Sequence, residues 1–196
     1  MDFEEKYFVD SNISNYRNYK DKKFHCLAAD LKEWLSGKKV LDFGCATGGL
    51  TAALRNEAID CIGTDISYWA ITFGREAYGL PPVALQFYNR QLLDEPFDAV
   101  LFLDVLEHIS TEELNAMFKI IKARELIVRI PVALHEGQDF FLPVSQNDKT
   151  HIQVHSKYWW RRFFASHGYT ESMVFASQSI YDSEGVLAIK LWKEEK

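Results

Sequence analysis

Residues 39–57 of the chain, KVLDFGCATGGLTAALRNE, decide its fold class. The apolar run Lys39 to Phe43 predicts a short strand, and the segment from about Gly48 to Glu57 predicts a helix. Between them lies a cluster of glycines and other small residues, which exposes backbone N–H groups and lets a nucleotide approach the main chain. A strand, a glycine loop and a helix in this order are typical of an α/β sheet that binds a nucleotide at its strand ends.

The remainder of the chain continues this alternation of strands and helices. We predict helices at residues 24–35, 67–78, 111–122 and 156–166, and strands at 61–65, 83–88, 97–103, 125–130, 171–176 and 185–192. Alternation is typical of a parallel sheet, whereas the last two strands are joined by a short polar turn and should pair antiparallel. The predicted fold is therefore α/β and Rossmann-like, with a seven-stranded, mostly parallel sheet, an antiparallel last strand and helices on both faces.

We predict a single domain, because the 196 residues carry no repeat and no low-complexity linker. Residues 1–37 are expected to form an N-terminal helical lid region. Residues 131–155 are irregular and rich in His, Gly, Gln and Asp, and they are too long for a simple connection. We therefore interpret them as a substrate-covering loop.

Composition excludes several classes of partner. Lys and Arg number 22 against 28 Asp and Glu, which gives a net charge of −6, and without a basic extension no nucleic-acid partner is expected. The three cysteines are odd in number and show no Cys-x-x-Cys spacing, which fits a reduced, cytoplasmic location. No apolar run approaches the roughly 20 residues that cross a bilayer, so no membrane partner is expected. The oligomeric state does not follow from the sequence.

The glycine loop alone permits two cofactors. Taken as Gly44-x-Ala46-x-x-Gly49, it resembles the dinucleotide fingerprint of NAD(P)-binding oxidoreductases. Taken from Asp42 to Gly48, it fits the pattern of enzymes that use S-adenosylmethionine (SAM). The Asp42 carboxylate can face the cationic end of an amino-acid-bearing cofactor but would repel a pyrophosphate. Asp65 ends the next strand and can accept the ribose hydroxyls of either cofactor.

The stretch Phe97 to Ile109, FDAVLFLDVLEHI, decides between them. Together with the glycine loop it closely resembles the class I SAM-dependent methyltransferases, in particular the small-molecule group with an FDxV…VLEHI fourth strand. The resemblance runs from about Val40 to Gly168. Within it, DKTHI at residues 148–152, followed by Trp159 and Trp160, is similar to a D-x-T-H…W stretch of many such enzymes.

This resemblance implies an enzyme that transfers a methyl group from SAM to an O or N of a small polar metabolite or sugar-containing precursor, leaving S-adenosylhomocysteine (SAH). Two alternatives remain open from the residues: an NAD(P)-binding oxidoreductase and a non-catalytic SAM-binding regulatory protein. Methylation of RNA is disfavoured by the acidic charge balance.

The resemblance also implies which residues bind the cofactor. Two positions depart from the family pattern: Ala46 replaces the usual middle glycine, which should be tolerated if φ there is negative, and Asn89 replaces an Asp, so that its carbonyl oxygen would accept the adenine amino group. Arg17 could pair with the methionine carboxylate. The predicted cofactor-binding residues are Asp42, Gly44, Cys45, Ala46, Gly48, Asp65, Ile66, Asn89, Leu103 and Arg17.

His108 and His151 are the predicted catalytic residues. A hydroxyl or ammonium acceptor must lose a proton, and an imidazole suits a general base near neutral pH. Asp104, Glu107 and His108 would point to one side of a helical turn, and with His151 or His155 they could hold a divalent ion, as in the metal-assisted methyltransferases that this arrangement resembles. A metal is the less favoured version of this site, and no metal ligand is assigned.

Overall fold

The computed structural model describes residues 3–9 and 21–194. Within them the chain forms two compact units, one ending at Leu92 and the other beginning at Leu93. Nothing in this division tests the predicted single domain, the N-terminal lid or the substrate-covering loop, which remain predictions.

The described residues form seven α-helices and seven strands. The helices are α1 Glu5–Val9, α2 Asp21–Leu35, α3 Gly49–Asn56, α4 Tyr68–Tyr78, α5 Thr111–Phe118, α6 Pro143–Asn147 and α7 Lys157–Ser166. The strands are β1 Lys39–Phe43, β2 Asp60–Asp65, β3 Leu85–Phe87, β4 Ala99–Leu103, β5 Glu125–Pro131, β6 Thr170–Val174 and β7 Val186–Trp192. Two 3₁₀ helices, Arg90–Asp94 and Leu106–His108, lie before and after β4.

The strands form one sheet in the order β3-β2-β1-β4-β5-β7-β6. In the first unit, β2 pairs in parallel with both β1 and β3. In the second, β4 and β5 are parallel, and β7 runs antiparallel to both β5 and β6. The predicted α/β class, with a mostly parallel seven-stranded sheet and antiparallel pairing of the last strands, is confirmed.

The first unit buries apolar side chains of α2, β1 and β2, among them Leu31 and Leu41. Ser67 caps α4 by accepting a hydrogen bond from the backbone N–H of Ala70 at 3.0 Å. In the middle of α4, a Cβ added to Gly74 would lie 2.0 Å from the carbonyl oxygen of Thr47. Glycine at this position therefore lets the helix pack directly on the backbone of the loop that follows β1.

The core of the second unit is largely aromatic. Phe118 of α5 lies 5.9 Å from Phe102 of β4 and 5.7 Å from Phe164 of α7, measured between ring centroids. Tyr169 is buried and donates its hydroxyl to the carbonyl of Ala123 at 2.7 Å. These rings pack α5 against β4 of the sheet and α7 against α5.

Two predicted elements differ from the structure. The helix expected at residues 111–122 ends at Phe118. The chain turns there, and the Ile120 N–H donates to the Met117 carbonyl at 3.0 Å. Ile121 is buried although it lies outside the helix. The segment expected to be irregular contains α6, which begins at Pro143, a residue favoured in the first turn of a helix.

The edge strands of the sheet are short or irregular. β3 has three residues, and β6 carries a bulge between Glu171 and Met173. Glu171 also accepts a hydrogen bond from Arg161 Nε at 2.7 Å. Among residues 3–9 and 21–194, none of the helices has the length and apolar character needed to cross a bilayer.

Candidate functional site

The glycine loop between β1 and α3 is fastened to β2. The backbone N–H groups of Gly44 and Cys45 both donate to the carbonyl of Thr64, at 2.8 and 3.0 Å. Gly44 and Gly48 have φ of 73° and 75°, a left-handed conformation that glycine adopts without strain. The sequence pattern of the loop is therefore explained by its turns as well as by any ligand.

Ala46 has φ of 51°, so the condition under which alanine was expected to replace the glycine without strain, a negative φ, is not met. Its methyl group is buried and packs with Phe8 of α1 and Ala70 of α4. A left-handed conformation costs an L-residue roughly 1–2 kcal/mol, and the buried contacts offset part of this cost.

A buried carboxylate, Asp42, and a half-buried one, Asp65, flank the loop. Asp42 is 4% exposed and accepts a hydrogen bond from Thr51 Oγ1 at 2.7 Å. Asp65 accepts the backbone N–H groups of Ala46, at 2.9 Å, and Ser67, at 2.8 Å. Burial raises the pKa of each carboxyl group to about 6.

Neither Asp42 nor Asp65 forms an ion pair with a basic side chain in the described part of the chain. Carboxylates that are buried or half-buried without a counter-charge favour a ligand that brings a positive charge or hydroxyl donors. A cofactor with a sulfonium, an ammonium and a ribose fits this donor set, whereas a pyrophosphate would be repelled.

The other predicted cofactor residues have mixed surroundings. Cys45 is buried, and burial raises the pKa of its thiol well above the usual range, so it is an unreactive apolar group. Ile66 is half-exposed directly after Asp65. Asn89 is exposed, and its side-chain carbonyl accepts the backbone N–H of Gln91 at 3.0 Å. Leu103 ends β4 in the second unit, and Arg17 lies outside the described residues.

In the second unit, the structure brings together Glu107, His108 and His151. One ligand atom from each of these three residues lies within 4.8 Å of the other two, and the two imidazole centroids are 4.6 Å apart. The backbone carbonyl of Glu107 accepts the N–H groups of Ile152, at 2.8 Å, and Gln153, at 3.0 Å. These two bonds hold the segment that carries His151 against the 3₁₀ helix that carries the other two residues.

The Glu107 side chain is fully buried, and neither carboxylate oxygen accepts a hydrogen bond from another described residue. Its Oε1 lies 4.0 Å from His151 Nε2. Burial, and secondarily the nearby Asp104, raises the pKa of Glu107 well above its ordinary value. Such a carboxylate is costly to bury unless a cation or donor satisfies it.

The two imidazoles are held through their Nδ1 atoms. His151 Nδ1 lies 2.9 Å from the carbonyl of Ser145, and since a carbonyl only accepts, this nitrogen carries a proton, while Nε2 lies 3.5 Å from Oδ2 of Asp148. His108 Nδ1 lies 2.8 Å from the hydroxyl of Thr150. Burial, and then the neighbouring His151, lowers the pKa of His108 to about 4, so its ring is neutral near pH 7.

Two residues that the sequence placed near this cluster do not join it. Asp104 has φ of 56°, which turns the chain before the 3₁₀ helix, and its carboxylate pairs with Arg129 of β5. His155 hydrogen-bonds Glu136 at 2.6 Å through Nδ1 and stacks on Trp159 with centroids 3.7 Å apart. Asp104 therefore does not share a helical face with Glu107 and His108, because that arrangement requires a helix that begins after Leu103 and the 3₁₀ helix begins at Leu106.

Residues 17–171 match the family model described as "Methyltransferase domain". This chain belongs to that family. The match covers the glycine loop, Asp42, Asp65 and the cluster around Glu107, so the class I SAM-dependent methyltransferase resemblance is confirmed and SAM is the cofactor of this class. The two alternatives, an oxidoreductase and a non-catalytic protein, are not favoured.

Among curated relatives, the methyltransferase domain is 26% identical over 153 residues to a ubiquinone biosynthesis O-methyltransferase of Photobacterium profundum, covering 61% of this chain and 65% of the relative. The chain thus spans less than two thirds of that relative's length.

Solved structures share the fold. A protein of Pyrococcus horikoshii matches with a TM-score of 0.66 and 19% identity, covering 96% of each chain. The magnesium protoporphyrin IX methyltransferase of Synechocystis, crystallised with SAH, matches with a TM-score of 0.63 and 18% identity over 89% of this chain and 83% of that one. At these identities the likeness establishes the fold.

Sequence reasoning missed the groups that hold the predicted site residues in place. Thr51 on Asp42, Ser145 on His151 and Thr150 on His108 are contacts between residues separated by 9, 6 and 42 positions. All three lay in stretches singled out from the sequence, Thr51 in residues 39–57, Ser145 in residues 131–155 and Thr150 in the DKTHI motif, but none of them was predicted to hold a site residue.

Proposed function

We propose that this methyltransferase domain transfers the methyl group of SAM to a hydroxyl oxygen of a small polar acceptor, with a divalent cation held by Glu107, His108 and His151. The observation that carries the proposal is the fully buried Glu107 carboxylate, which no other described residue hydrogen-bonds, beside two imidazoles whose rings are held through Nδ1. One carboxylate and two imidazoles form a ligand set that binds divalent cations.

The cofactor is assigned to the first unit. Bound SAM supplies an activated methyl group on a sulfonium, so that the protein has only to align the partners, exclude water and remove the proton of the acceptor. Asp65 would accept the ribose hydroxyls through lone pairs that its backbone partners leave available, and Asp42 would place a negative charge near the cationic end. Gly44, Cys45, Ala46 and Gly48 would lie along the cofactor, with Ile66 and Asn89 at the adenine and Leu103 and Arg17 as further contacts.

The acceptor is assigned to the second unit. A divalent cation at this site would lower the pKa of a hydroxyl that it coordinates, so that the hydroxyl would release its proton to solvent water before the methyl group is transferred. The alternative, in which His108 removes the proton as a general base, is weaker, because a base works best when its pKa lies near the working pH and that of His108 is about 4. An imidazole of such low basicity accepts a proton weakly, but its neutral form can still coordinate a cation through its lone pair. His108 and His151 would then hold the cation with Glu107, and the acceptor would be oriented there.

An oxygen acceptor is also supported by the relative from Photobacterium profundum, which is an O-methyltransferase. The acceptor would be a small polar metabolite or a sugar-containing precursor, and residues 131–155 would cover it. We expect a cytoplasmic protein without a nucleic-acid partner, as the acidic charge and the cysteine pattern predict.

The test is a pair of calorimetric titrations. SAH should bind with micromolar affinity while NAD does not, and Asp65→Asn should weaken SAH binding by roughly 10-fold. In the second titration, Mg²⁺ or Mn²⁺ should bind the wild-type protein and the exposed-site control Glu112→Gln, but not Glu107→Gln. Binding of NAD alone would overturn the cofactor assignment, and equal cation binding by Glu107→Gln would overturn the cation site.

Methyl transfer itself is checked with radiolabelled SAM and a metabolite extract, with and without the cation. We expect label in an alkali-stable methyl ether and none in the presence of EDTA. Methyl transfer to an amine, or methyl transfer at an unchanged rate in EDTA, would contradict the proposal.

A further inference from the structure

Thr150 connects a carboxylate to His108. Its Oγ1 lies 2.6 Å from Oδ1 of Asp148 and 2.8 Å from Nδ1 of His108. The hydroxyl has one proton, and because an ionised carboxylate only accepts, that proton points at Asp148. The oxygen can then meet the imidazole only as an acceptor, so Nδ1 of His108 must carry a proton.

From this geometry we infer that Thr150, held by Asp148, is a positioning residue that fixes His108 in the Nδ1-protonated tautomer, with the lone pair on Nε2. His151 also carries a proton on Nδ1, which faces a different acceptor, the backbone carbonyl of Ser145. The two rings are therefore both oriented through Nδ1, although unrelated groups hold them.

The hydroxyl of Thr150 is separable from its role in the local turn. The turn at residues 148–151 is closed by the backbone N–H of Thr150, which donates to Asp148 Oδ1 at 2.9 Å, and by the N–H of His151, which donates to the carbonyl of Asp148 at 3.2 Å. Neither bond uses the hydroxyl. Replacing the hydroxyl by a methyl group leaves both bonds in place, as well as the hydrogen bond between the Thr150 backbone and His108, and removes the contact between the hydroxyl and the imidazole.

The consequence for cation binding rests on the proposed function, whereas the tautomer does not. Outer partners of ligating histidines fix the ring orientation and the tautomer, and their loss typically weakens metal affinity by roughly 10- to 100-fold. Thr150→Val should have this effect. Thr150→Ser keeps the hydroxyl and should restore the affinity.

The decisive experiment is ¹⁵N NMR of the cation-free protein at pH 8 with labelled histidines, in which His108→Gln assigns the His108 signals. We expect an Nδ1-protonated ring in the wild type and in Thr150→Ser, and a shift toward the Nε2-protonated tautomer in Thr150→Val. Thr111→Val is the matched control, because it removes a threonine hydroxyl that donates to Gln153 at 3.2 Å and does not contact His108. If Thr150→Val does not fold, Thr150→Ala removes the same hydroxyl with less bulk.

Cobalt(II) titrations of the same variants give a second readout. Thr150→Val should bind Co²⁺ more weakly by roughly 10- to 100-fold, with an altered visible spectrum, and Thr111→Val should not. An unchanged His108 tautomer in Thr150→Val overturns the inference, whatever the cation does. A wild-type protein that binds no cation but whose tautomer depends on Thr150 supports the inference and overturns the cation part of the proposed function.

Discussion

Replacing Glu107 by methionine should make the cation-free protein more stable. The carboxylate is fully buried, and no other described residue hydrogen-bonds it. The Nε2 atom of His151, which could carry a positive charge, lies 4.0 Å from its Oε1. Methionine has a similar length and no polar atoms to satisfy. Replacement of buried ionic groups by apolar residues of similar volume is often stabilising by roughly 1–4 kcal/mol.

The gain should depend on pH with a definite sign. Burial raises the pKa of Glu107 in the folded protein, so the folded state binds this proton more tightly than the unfolded state does. The stability of the wild type therefore falls as the pH rises from the unfolded pKa through the folded one, and Glu107→Met removes this loss. We expect a small gain at pH 4 and a gain of about 1–3 kcal/mol at pH 8, or roughly 2–12 °C in Tm.

The assay is urea denaturation in EDTA at several pH values, followed by the same measurement with a divalent cation. The cation should stabilise the wild type by about 2.7 kcal/mol at 100 times its Kd and leave Glu107→Met unchanged, so that the order of stability reverses. Glu112→Met, the same change at an exposed position, should stay within about 0.5 kcal/mol of the wild type. A Glu107→Met protein that is less stable than the wild type in EDTA at pH 8 would refute the reasoning, because it would mean that protein groups already satisfy the carboxylate.

Three further predictions concern the first unit. Gly74→Ala should lower the free energy of unfolding by about 1–3 kcal/mol despite the better helix propensity of alanine, because the new Cβ would lie 2.0 Å from the Thr47 carbonyl oxygen. An unchanged denaturation midpoint would contradict this packing. The free energy of unfolding of Ala46→Gly should stay within about 1 kcal/mol of the wild type, whereas that of Ala46→Val should fall by about 1–3 kcal/mol, since a β-branched residue is poorly accommodated at φ of 51°. The reverse order of stability in thermal unfolding would disprove the left-handed conformation. SAH affinity should fall between pH 7 and pH 5 by about tenfold for each carboxylate, because Asp42 and Asp65, with pKa about 6, are ionised above that value and accept hydrogen bonds best in that form. In calorimetry, Asp65→Asn should show a weaker dependence of SAH affinity on pH than the wild type, and an equal dependence would remove Asp65 from the cofactor site.

The strands were predictable because their signals are local. Runs such as Lys39 to Phe43 are apolar and bounded by glycine or proline, and the structure places strands within two residues of most predicted bounds. The end of α5 at Phe118 was not predictable, because Ile121 continues the apolar spacing while its side chain is buried from outside the helix. Periodicity reports which residues are buried rather than which backbone conformation buries them.

The candidate site was predictable in part for the same reason. His108 and His151 could be named from motifs, but their proximity depends on hydrogen bonds from the segment around Ile152 to the Glu107 carbonyl, which no local pattern encodes. Asp104 was misplaced for the same reason. Its spacing from His108 indicated a shared helical face, but in the structure Asp104 adopts a left-handed turn and pairs with Arg129 of β5. Contacts across tens of residues need the fold before they can be assigned.

The edge strands of the sheet have a consequence for the behaviour of the protein at high concentration. An edge strand offers unpaired N–H and C=O groups to any extended chain nearby and can seed aggregation. Here β3 offers only three residues, and β6 is interrupted by its bulge and carries the charged Glu171. Both edges are therefore poor templates for a further strand, so the sheet is protected from growing into intermolecular β-structure.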